Sequence, residues 1–489
     1  MTPAHPAFEN TFARDLPDMF EPWEAVVVEN PELLVLDDEL ARELGFDPQW
    51  LRSPDGVRFL IGNHRLEGMQ PIAQGYAGHQ FGGFSPRLGD GRALLLGEVI
   101  DTNGQRRDIH LKGSGRTRYS RGGDGKAAVG PMLREYVIGG AMRALGIPTT
   151  RALAVVATGE RIPRDEMLPG AVLCRVASSH LRVGSFQYAA TMSHDHIARL
   201  ADHAIARHYP ELIGEPDRHL ALFHAVMNRQ AKLVAQWMGV GFIHGVMNTD
   251  NMTISGETID YGPCAFLDTH DPTTVFSSID HQGRYAYGNQ PNIAQWNLAR
   301  FVETLLSFIH PDKDESIRIG TEAIRTFPTL FEREWGAVMR AKLGLSPDAD
   351  VDQSLLHGLS ILFTTHRIDH TNGMRALSDV VRGDRRKMHA MFDLPLAFDA
   401  WARPWLDIIE RDPRGTARIA DEMDRVNPAY IPRNHLVETA LAAASAGDLA
   451  PLDALMEVLA HPFDERDGLD DYTRPMPTDW EGYQTFCGT

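Results

Sequence analysis

Cysteine is scarce in this chain, which has only three in 489 residues. So few thiols exclude a disulfide-stabilised scaffold and indicate a reducing compartment. Long apolar runs are missing as well, since no stretch of the sequence reaches the length of a membrane-spanning helix. The N-terminal region places Asp15, Asp18 and Glu21 close behind Arg14, which is typical of neither a secretory signal nor an organelle presequence. We therefore expect a cytoplasmic protein with no membrane partner.

Positive charge is also in short supply, because 48 basic residues face 66 acidic ones and the net charge is −18. Such a surface repels the phosphate backbone of nucleic acids, so we expect no nucleic-acid partner. A hydrophobic content of 43% with 23% charged residues is typical of a globular protein. A chain of this length can bury a large core, and its length favours two or more lobes.

The most informative stretch that is present, residues 241–262, has the layout of a phosphotransferase catalytic loop and the metal-binding turn after it. In such enzymes a His-Gly-Asp or His-Arg-Asp triplet supplies the base. An Asn five residues later binds one metal ion, and an Asp in the next turn binds another. Aligning the His-Gly pair puts Val246 at the position of the base, Asn251 at that of the metal-binding Asn, and Asp260 at the second metal position. The spacing predicts a nucleotide site whose chemistry differs from ordinary phosphoryl transfer.

A lysine on a predicted strand and a glutamate on a predicted helix precede that loop. Residues 107–113 alternate apolar and polar side chains, which is typical of a half-buried strand, and they include Lys112. Residues 131–145 carry apolar side chains at helical spacing and include Glu135. A strand lysine paired with a helix glutamate positions nucleotide phosphates in kinases. Two solvated charges are the alternative, but the order of these residues along the chain favours the pair.

Glycines and arginines fill the segments on both sides of the predicted strand. Residues 113–126 are rich in both, and backbone amides in such a loop can form an anion-binding concavity. A flexible surface loop is the alternative interpretation. Residues 87–100 predict a glycine turn between two strands, with Gly89, Gly91 and Arg92 as candidate phosphate contacts.

Two further arginines lie on or near a predicted buried strand. Residues 171–177 are apolar apart from Arg175, and Arg182 follows shortly after. A buried arginine needs a partner, because an unpaired buried charge is very costly. That partner is either a structural carboxylate or a polyphosphate, whose oxygens match the guanidinium fork. The sequence leaves both open.

The organisation of the chain predicts an α+β fold in three parts. We expect an N-terminal extension and small lobe over residues 1–175, a large and mostly helical lobe over 176–435, and C-terminal helices with a tail over 436–489. Beyond the helix that carries Glu135, apolar spacing predicts helices at 194–208, 219–238, 295–309, 433–446 and 452–459.

Several long blocks in the same order resemble the selenoprotein O family of kinase-like proteins, and specifically its bacterial, cysteine-containing members. These blocks lie at residues 10–17, 74–82, 110–117, 241–251 and 483–489. The resemblance implies a two-lobed, protein-kinase-like fold. It also implies a protein adenylyltransferase that binds ATP in a flipped orientation and moves AMP to Ser, Thr or Tyr hydroxyls of proteins. Pyrophosphate would be the leaving group.

The resemblance also implies roles for single residues. Asn251 and Asp260 would bind Mg²⁺ or Mn²⁺, and Asp250 would act as the base. Glu135 would orient Lys112. The residues implied to bind the nucleotide are Gly89, Gly91, Arg92, Lys112, Asp124, Gly125, Arg175, Arg182 and Asp260.

Other functions remain open on the sequence. The chain could be a kinase that uses Asp250 as a displaced base, or a nucleotide-binding scaffold without chemistry. A structural hydrogen-bonding role for Asp250 is also open.

Two of the cysteines suggest redox regulation. Cys264 lies just after the metal-binding turn, and Cys487 occupies the position where relatives carry selenocysteine. We hypothesise that the two form a regulatory disulfide. The alternative is a small buried side chain at one position and a free thiol at the other.

Overall fold

The computed structural model describes residues 5–349, 352–480 and 482–486. The chain combines an antiparallel sheet with many helices. Its strands are β1 Phe20–Pro22, β2 Glu32–Leu36, β3 Ile72–Gln74, β4 Gly78–Gln80, β5 Gly83–Ser85, β6 Ala93–Ile100, β7 Arg106–Lys112, β8 Ala127–Ala128, β9 Arg151–Pro163, β10 Met167–Ala177, β11 Phe242–Ile243 and β12 Ala265–Phe266.

The helices increase in number toward the C-terminal half. They are α1 Thr11–Asp15, α2 Asp38–Glu43, α3 Pro48–Leu51, α4 Pro54–Leu60, α5 Val129–Ala144, α6 Val183–Met192, α7 His194–His208, α8 Arg218–Val240, α9 Gln290–Ile309, α10 Lys313–Arg325, α11 Phe327–Lys342, α12 Gln353–Thr365, α13 His370–Val381, α14 Arg386–Ala390, α15 Pro395–Arg411, α16 Thr416–Asp424, α17 Asn434–Ser445 and α18 Ala450–Leu459. Among the helices described, none has the length and apolar composition needed to cross a membrane.

The main sheet follows the order β1-β3-β6-β7-β10-β9-β2, and β8 pairs with β10. All of its pairings are antiparallel. The two-residue period sorts the side chains of β7, because alternate residues point to opposite faces. Ile109 and Leu111 enter one apolar cluster, together with Cys174 and Val176 of β10. The remaining side chains of β7 point to the other face of the sheet, and α5 packs on β9 and β10.

The elements predicted around the site are confirmed. β7 covers the predicted strand and ends at Lys112, and β10 contains the strand predicted at 171–177. The helix predicted at 131–145 is α5, which begins two residues earlier, at Val129. It ends before Gly146, whose φ of 75° suits the left-handed conformation that terminates helices.

The other predicted helices are also confirmed. α7 has the predicted bounds, and α8, α9, α17 and α18 contain or closely match the predicted ranges. The bounds of α6 and of α10 to α16 were not predicted, although residues 176–435 were expected to be mostly helical. The periodicity also did not reveal the short helices α2, α3 and α4. Each is seven residues or fewer, too short for a 3.6-residue period to stand out.

The C-terminal segment, residues 482–486, returns to the body of the protein. Thr485 forms an isolated parallel bridge with Ser277, and its amide donates to the carbonyl of Phe276 at 2.8 Å. Its hydroxyl donates to the carbonyl of Pro263 at 2.7 Å. Residues 482–486 therefore pack beside the turn that follows Asp260.

Candidate active site

A cavity of about 470 Å³ is lined by the main sheet, α5 and the loop after α8. Its volume is typical of a small-molecule site. It brings together all of the predicted site residues apart from the cysteines, as well as Val246. These are Gly89, Gly91, Arg92, Lys112, Asp124, Gly125, Glu135, Arg175, Arg182, Asp250, Asn251 and Asp260.

Asp260 is the centre of the charge arrangement. Its carboxylate lies 2.6 Å from Lys112 Nζ, 2.8 Å from an Arg175 guanidinium nitrogen and 3.4 Å from one of Arg182. Lys112 also pairs with Glu135. Burial alone would raise the pKa of Asp260, but the three cations outweigh it and hold that pKa well below its usual range. Three cations against two carboxylates leave an excess of positive charge in an otherwise acidic protein.

The sheet register explains how Lys112 and Arg175 reach the same carboxylate. Arg175 lies opposite His110 in the pairing of β7 with β10, and Lys112 is two residues further along the same face as His110. The sequence offered a structural carboxylate or a polyphosphate as the partner of Arg175. The carboxylate is Asp260, and it lies inside the cavity.

Arg175 is hydrogen-bonded to a buried polar cluster that the sequence did not reveal. His110 accepts from Arg175 Nε at 3.3 Å through Nδ1, so Nε2 carries its proton and donates to Asp90 at 3.2 Å. Burial lowers the pKa of His110, which keeps the ring neutral for this role. Asp90 also accepts from the amide of Gln74 at 3.0 Å. The cluster thus ties the glycine turn on either side of Asp90 to the central strand.

The segment that contains Val246, Asp250 and Asn251 is held by a buried histidine. His244 Nε2 lies 2.9 Å from the carbonyl of Ile259, next to Asp260. Val246 occupies the position of the usual base and is 7% exposed. Asn251 donates its amide nitrogen to the Val246 carbonyl at 2.9 Å. This bond fixes the amide orientation and leaves the Asn251 oxygen as the atom available for a metal.

Asp250 is buried and incompletely bonded. One carboxylate oxygen accepts from Gln80 Nε2 at 3.3 Å, whereas the other has no hydrogen-bond partner among the described residues. Burial raises the pKa of Asp250 to about 6, against the opposing charge of Arg182. A buried carboxylate with an unsatisfied oxygen and a raised pKa can accept a proton.

The donor set fits a hard divalent cation. Mg²⁺ is usually held by one or two carboxylates together with substrate phosphates and water. The Asp260 carboxylate and the Asn251 oxygen supply such ligands, and Asp250 lines the same cavity. Across residues 5–349, 352–480 and 482–486, no group of three or more His, Cys, Asp or Glu is placed to hold a metal. Phosphates and water would therefore complete the coordination.

Two glycines allow close approach of the loops above the cavity. A Cβ atom on Gly89 would lie 2.3 Å from the Tyr119 ring, and one on Gly125 would lie 2.2 Å from the Gly115 backbone. Both have a φ of 70°, which a side chain would strain. Larger residues at either position would push the loops apart.

The charged residues of these loops differ in their pairing. Asp124 pairs with Arg164 at 2.8 Å and accepts from the amide of Lys126 at 2.9 Å. Arg92 has a buried guanidinium nitrogen without a hydrogen-bond partner in the described chain. Asp124 thus shapes the loop, while Arg92 has a donor that no described residue satisfies.

Sequence reasoning assigned no role to several other residues of the cavity. Tyr76 lies under Arg182, with 4.5 Å from the guanidinium carbon to the ring centroid. Gln80, Tyr119 and Arg164 also line the cavity. Two of these four lie in the block at 74–82, so that block was the available signal, although it suggested no chemistry.

Of the two cysteines predicted to form a disulfide, the described residues include Cys264. Cys264 is fully buried, and its thiol donates to the Tyr261 carbonyl at 3.2 Å. Burial raises its pKa to about 11, which disfavours the reactive thiolate. Cys487 lies outside the described residues.

Comparison with known proteins gives a consistent result. The family model described as "Protein adenylyltransferase SelO" matches residues 4–460. A relative named protein nucleotidyltransferase YdiU, from Mycobacterium sp. (strain KMS), is 58% identical over 485 residues, covering 99% of both chains. The YdiU protein of Chromobacterium violaceum is 57% identical over 478 residues, covering 97% of this chain and 100% of the relative. That of Sphingopyxis alaskensis is 51% identical over 484 residues and 99% of both chains.

Proposed function

The chain belongs to the SelO family of protein adenylyltransferases, and we propose that it moves AMP from ATP to Ser, Thr or Tyr hydroxyls of proteins. As a protein nucleotidyltransferase it forms a bond between an acceptor atom and the α-phosphorus. The acceptor oxygen attacks that phosphorus, the bond to the bridging oxygen breaks, and pyrophosphate leaves with the electron pair. The hydroxyl proton goes to a base.

The observation that carries the proposal is the convergence of Lys112, Arg175 and Arg182 on Asp260. A departing pyrophosphate develops negative charge, and fixed cations stabilise that charge when they are placed in advance. The two arginines add positive charge beyond the lysine–glutamate pair that an ordinary kinase uses. We infer that the β- and γ-phosphates lie against these cations, so ATP is flipped relative to an ordinary kinase.

The remaining roles follow from the chemistry of each side chain. Asn251 and Asp260 hold Mg²⁺ or Mn²⁺, which when bound neutralises phosphate charge. Asp250 accepts the proton of the attacking hydroxyl, since Val246 cannot do so. Glu135 orients Lys112, and the nucleotide-binding loops contribute Gly89, Gly91, Arg92, Asp124 and Gly125.

We also propose the larger-scale features that the family resemblance implies. The fold is a two-lobed, protein-kinase-like one, with lobes over residues 1–175 and 176–435 and a C-terminal region over 436–489. The protein acts in the cytoplasm. Cys264 and Cys487 form a regulatory disulfide that holds the C-terminal tail over the turn after Asp260.

Incubation with ATP labelled at either the α- or the γ-phosphate tests the central proposal. With Mg²⁺ or Mn²⁺ present, α-label should remain on acceptor protein and γ-label should appear only in pyrophosphate. Protein-bound γ-label would instead identify a kinase. Label from neither position would identify a nucleotide-binding scaffold.

A further inference from the structure

The hairpin of β4 and β5 has an unusual turn. It closes through Phe81 and Gly82, whose φ angles of 50° and 86° are those of a two-residue type I′ turn. Such turns favour Asn-Gly or Asp-Gly, because a bulky residue with positive φ is strained. Turn chemistry therefore does not explain a phenylalanine here, and strain of this kind is often kept for function.

The hairpin is fastened to the catalytic loop. The His79 amide donates to the Thr249 hydroxyl at 2.7 Å, and the Phe81 amide donates to Asn248 Oδ1 at 3.0 Å. Gln80 donates to Asp250, as described above. The hairpin therefore has a fixed position beside the carboxylate to which we assign the acceptor proton.

The outer edge of β5 is unpaired. Since the amides of His79 and Phe81 point away from β5, the hydrogen-bonded pairs are Gly78 with Ser85 and Gln80 with Gly83. Phe84, opposite His79, must then direct its backbone N–H and C=O outward. No described residue forms a hydrogen bond with either group. An open strand edge of this kind can pair with another extended segment.

Exposed apolar side chains lie on the hairpin and in the cavity beside it. Phe81, Phe84 and Ile279 are 38%, 48% and 47% exposed. Phe81 and Ile279 also line the nucleotide cavity, so the apolar surface is continuous with the proposed active site. Exposed apolar surface beside a site marks a binding surface.

A cation borders the same hairpin. The Arg284 guanidinium lies 4.7 Å from the Trp296 ring centroid, and its central carbon is 3.9 Å from where a Cβ of Gly82 would be. In the described part of the chain no carboxylate lies within 4.0 Å of it. No ion pair therefore neutralises its charge, which an acidic group on a partner could do.

We propose that the β5 edge, Phe81, Phe84, Ile279 and Arg284 form the docking surface for the acceptor protein. An extended acceptor segment pairs with the backbone of Phe84, places an apolar side chain against the two phenylalanines and an acidic side chain against Arg284. Pairing with a free edge supplies main-chain bonds, and the side-chain contacts supply selectivity. The hydroxyl is thereby presented toward Asp250. This inference rests on the proposed AMP transfer.

The test uses α-labelled ATP and a positional-scanning library of peptides with a central Tyr, Thr or Ser. The wild-type enzyme should prefer peptides with apolar and acidic residues at defined positions. Phe84→Ser should raise KM for the best peptide about tenfold, the size of effect expected for a binding hot spot. The Kd of ATP should not change. Leu396→Ser, at a site 80% exposed on α15, is the matched control and should behave as wild type.

Arg284→Glu tests the charge contact directly. The enzyme's preference for an acidic residue in the peptide should be replaced by a preference for a basic one, a change that a purely structural role of Arg284 would not produce. An unchanged peptide KM in Phe84→Ser, or an unchanged acidic preference in Arg284→Glu, would overturn the docking surface. So would a library labelled without any preference, or a dimer of the wild-type enzyme that Phe84→Ser dissociates in ultracentrifugation. If the wild-type enzyme transfers no AMP to any acceptor, the proposed function itself is wrong.

Discussion

At the residue scale, Asp260 has two tasks that compete. In the structure it balances Lys112, Arg175 and Arg182, whereas in the proposed reaction it binds a metal ion. When metal-bound ATP is present, its phosphate oxygens would replace the Asp260 carboxylate as the partners of these three cations. Its backbone φ of 63°, uncommon for a residue other than glycine, is consistent with a functional position.

Asp260→Ala should reduce AMP transfer by at least about 100-fold, because a metal ligand that helps to neutralise the phosphates is lost. The melting temperature should fall too, since breaking a buried ion cluster leaves cations without a partner. Asp165→Ala, at an exposed position on the β9–β10 turn, is the control and should change neither quantity. Substantial AMP transfer by Asp260→Ala would contradict the metal role.

Full activity in Lys112→Ala would remove the pair with Glu135 from the mechanism.

Val246→Asp should not create an efficient kinase. Although it restores a carboxylate at the usual position of the base, the γ-phosphate would remain buried against Arg175 and Arg182. The measurement is protein-bound label from γ-labelled ATP, compared with Val246→Asn as a control of equal size. A clear gain of γ-label in the Asp variant alone would mean that ATP binds in the ordinary orientation.

Lys342 should make stability depend on pH. Its Nζ donates to Asn427 Oδ1 at 3.2 Å, and burial lowers its pKa from the ordinary 10.5 to about 7. Between those two values the unfolded chain binds the extra proton, so the free energy of unfolding should rise with pH. The slope is at most about 1.4 kcal/mol per pH unit. Urea unfolding at pH 7 and pH 9 should show this rise in wild type and a smaller one in Lys342→Met. Equal slopes would contradict a depressed pKa.

At the element scale, hydrophobic periodicity explains why some elements were predictable from the sequence. β7 divides its side chains between the core and the cavity, so a single strand serves both packing and binding. α15 is different, because Pro404 lies inside it. Proline has no amide to donate and its ring crowds the carbonyl four residues earlier, that of Ala400.

Pro404→Ala should stabilise the protein by about 1 kcal/mol or more, since it restores a helical hydrogen bond at an exposed position. Urea unfolding measures the gain, and AMP transfer should be unchanged because α15 contributes nothing to the cavity. Arg403→Ala, the preceding exposed position, is the control. A loss of stability in Pro404→Ala would show that the helix needs the shape that proline imposes.

At the scale of the whole molecule, the C-terminal segment is tied to the site through a short polar chain. The Tyr483 hydroxyl donates to Glu438 at 2.7 Å, and Arg134 pairs with the same carboxylate at 2.8 Å. Arg134 also donates to the carbonyl of Gly262 at 3.1 Å, two residues beyond Asp260. Residues 482–486 and the turn after Asp260 are therefore joined by hydrogen bonds and an ion pair, whether or not a disulfide forms.

Oxidation should accordingly lower AMP transfer if Cys264 and Cys487 become bonded, because the tail would then be fixed over that turn. The bond should form slowly near neutral pH, since the buried Cys264 thiol is seldom a thiolate. Non-reducing peptide mapping should recover the linked peptides from wild type, but not from Cys264→Ser. Equal activity of oxidised and reduced enzyme would leave such a bond without a regulatory role.

The sequence by itself determined the elements around the site and, together with the family resemblance, the identities of the candidate residues. Periodicity placed β7, β10 and α5, and among the later helices α7, α8, α9, α17 and α18, because each shows its pattern or is bounded by clear stop signals. Spacing identified Asn251 and Asp260 as candidates, since the two follow one another within a short span. These inferences depend on local order along the chain, which a sequence displays directly.

Only the tertiary structure decided which distant residues meet. His110 and Asp90 under Arg175, Tyr76 under Arg182, and Gln80 against Asp250 are contacts between separate segments. Strand register and loop packing create them, and no local pattern encodes either one. The open edge of β5 also became visible only when the bonding partners of the neighbouring strand were known. A residue's chemistry is local in the sequence, but its partners are set by the fold.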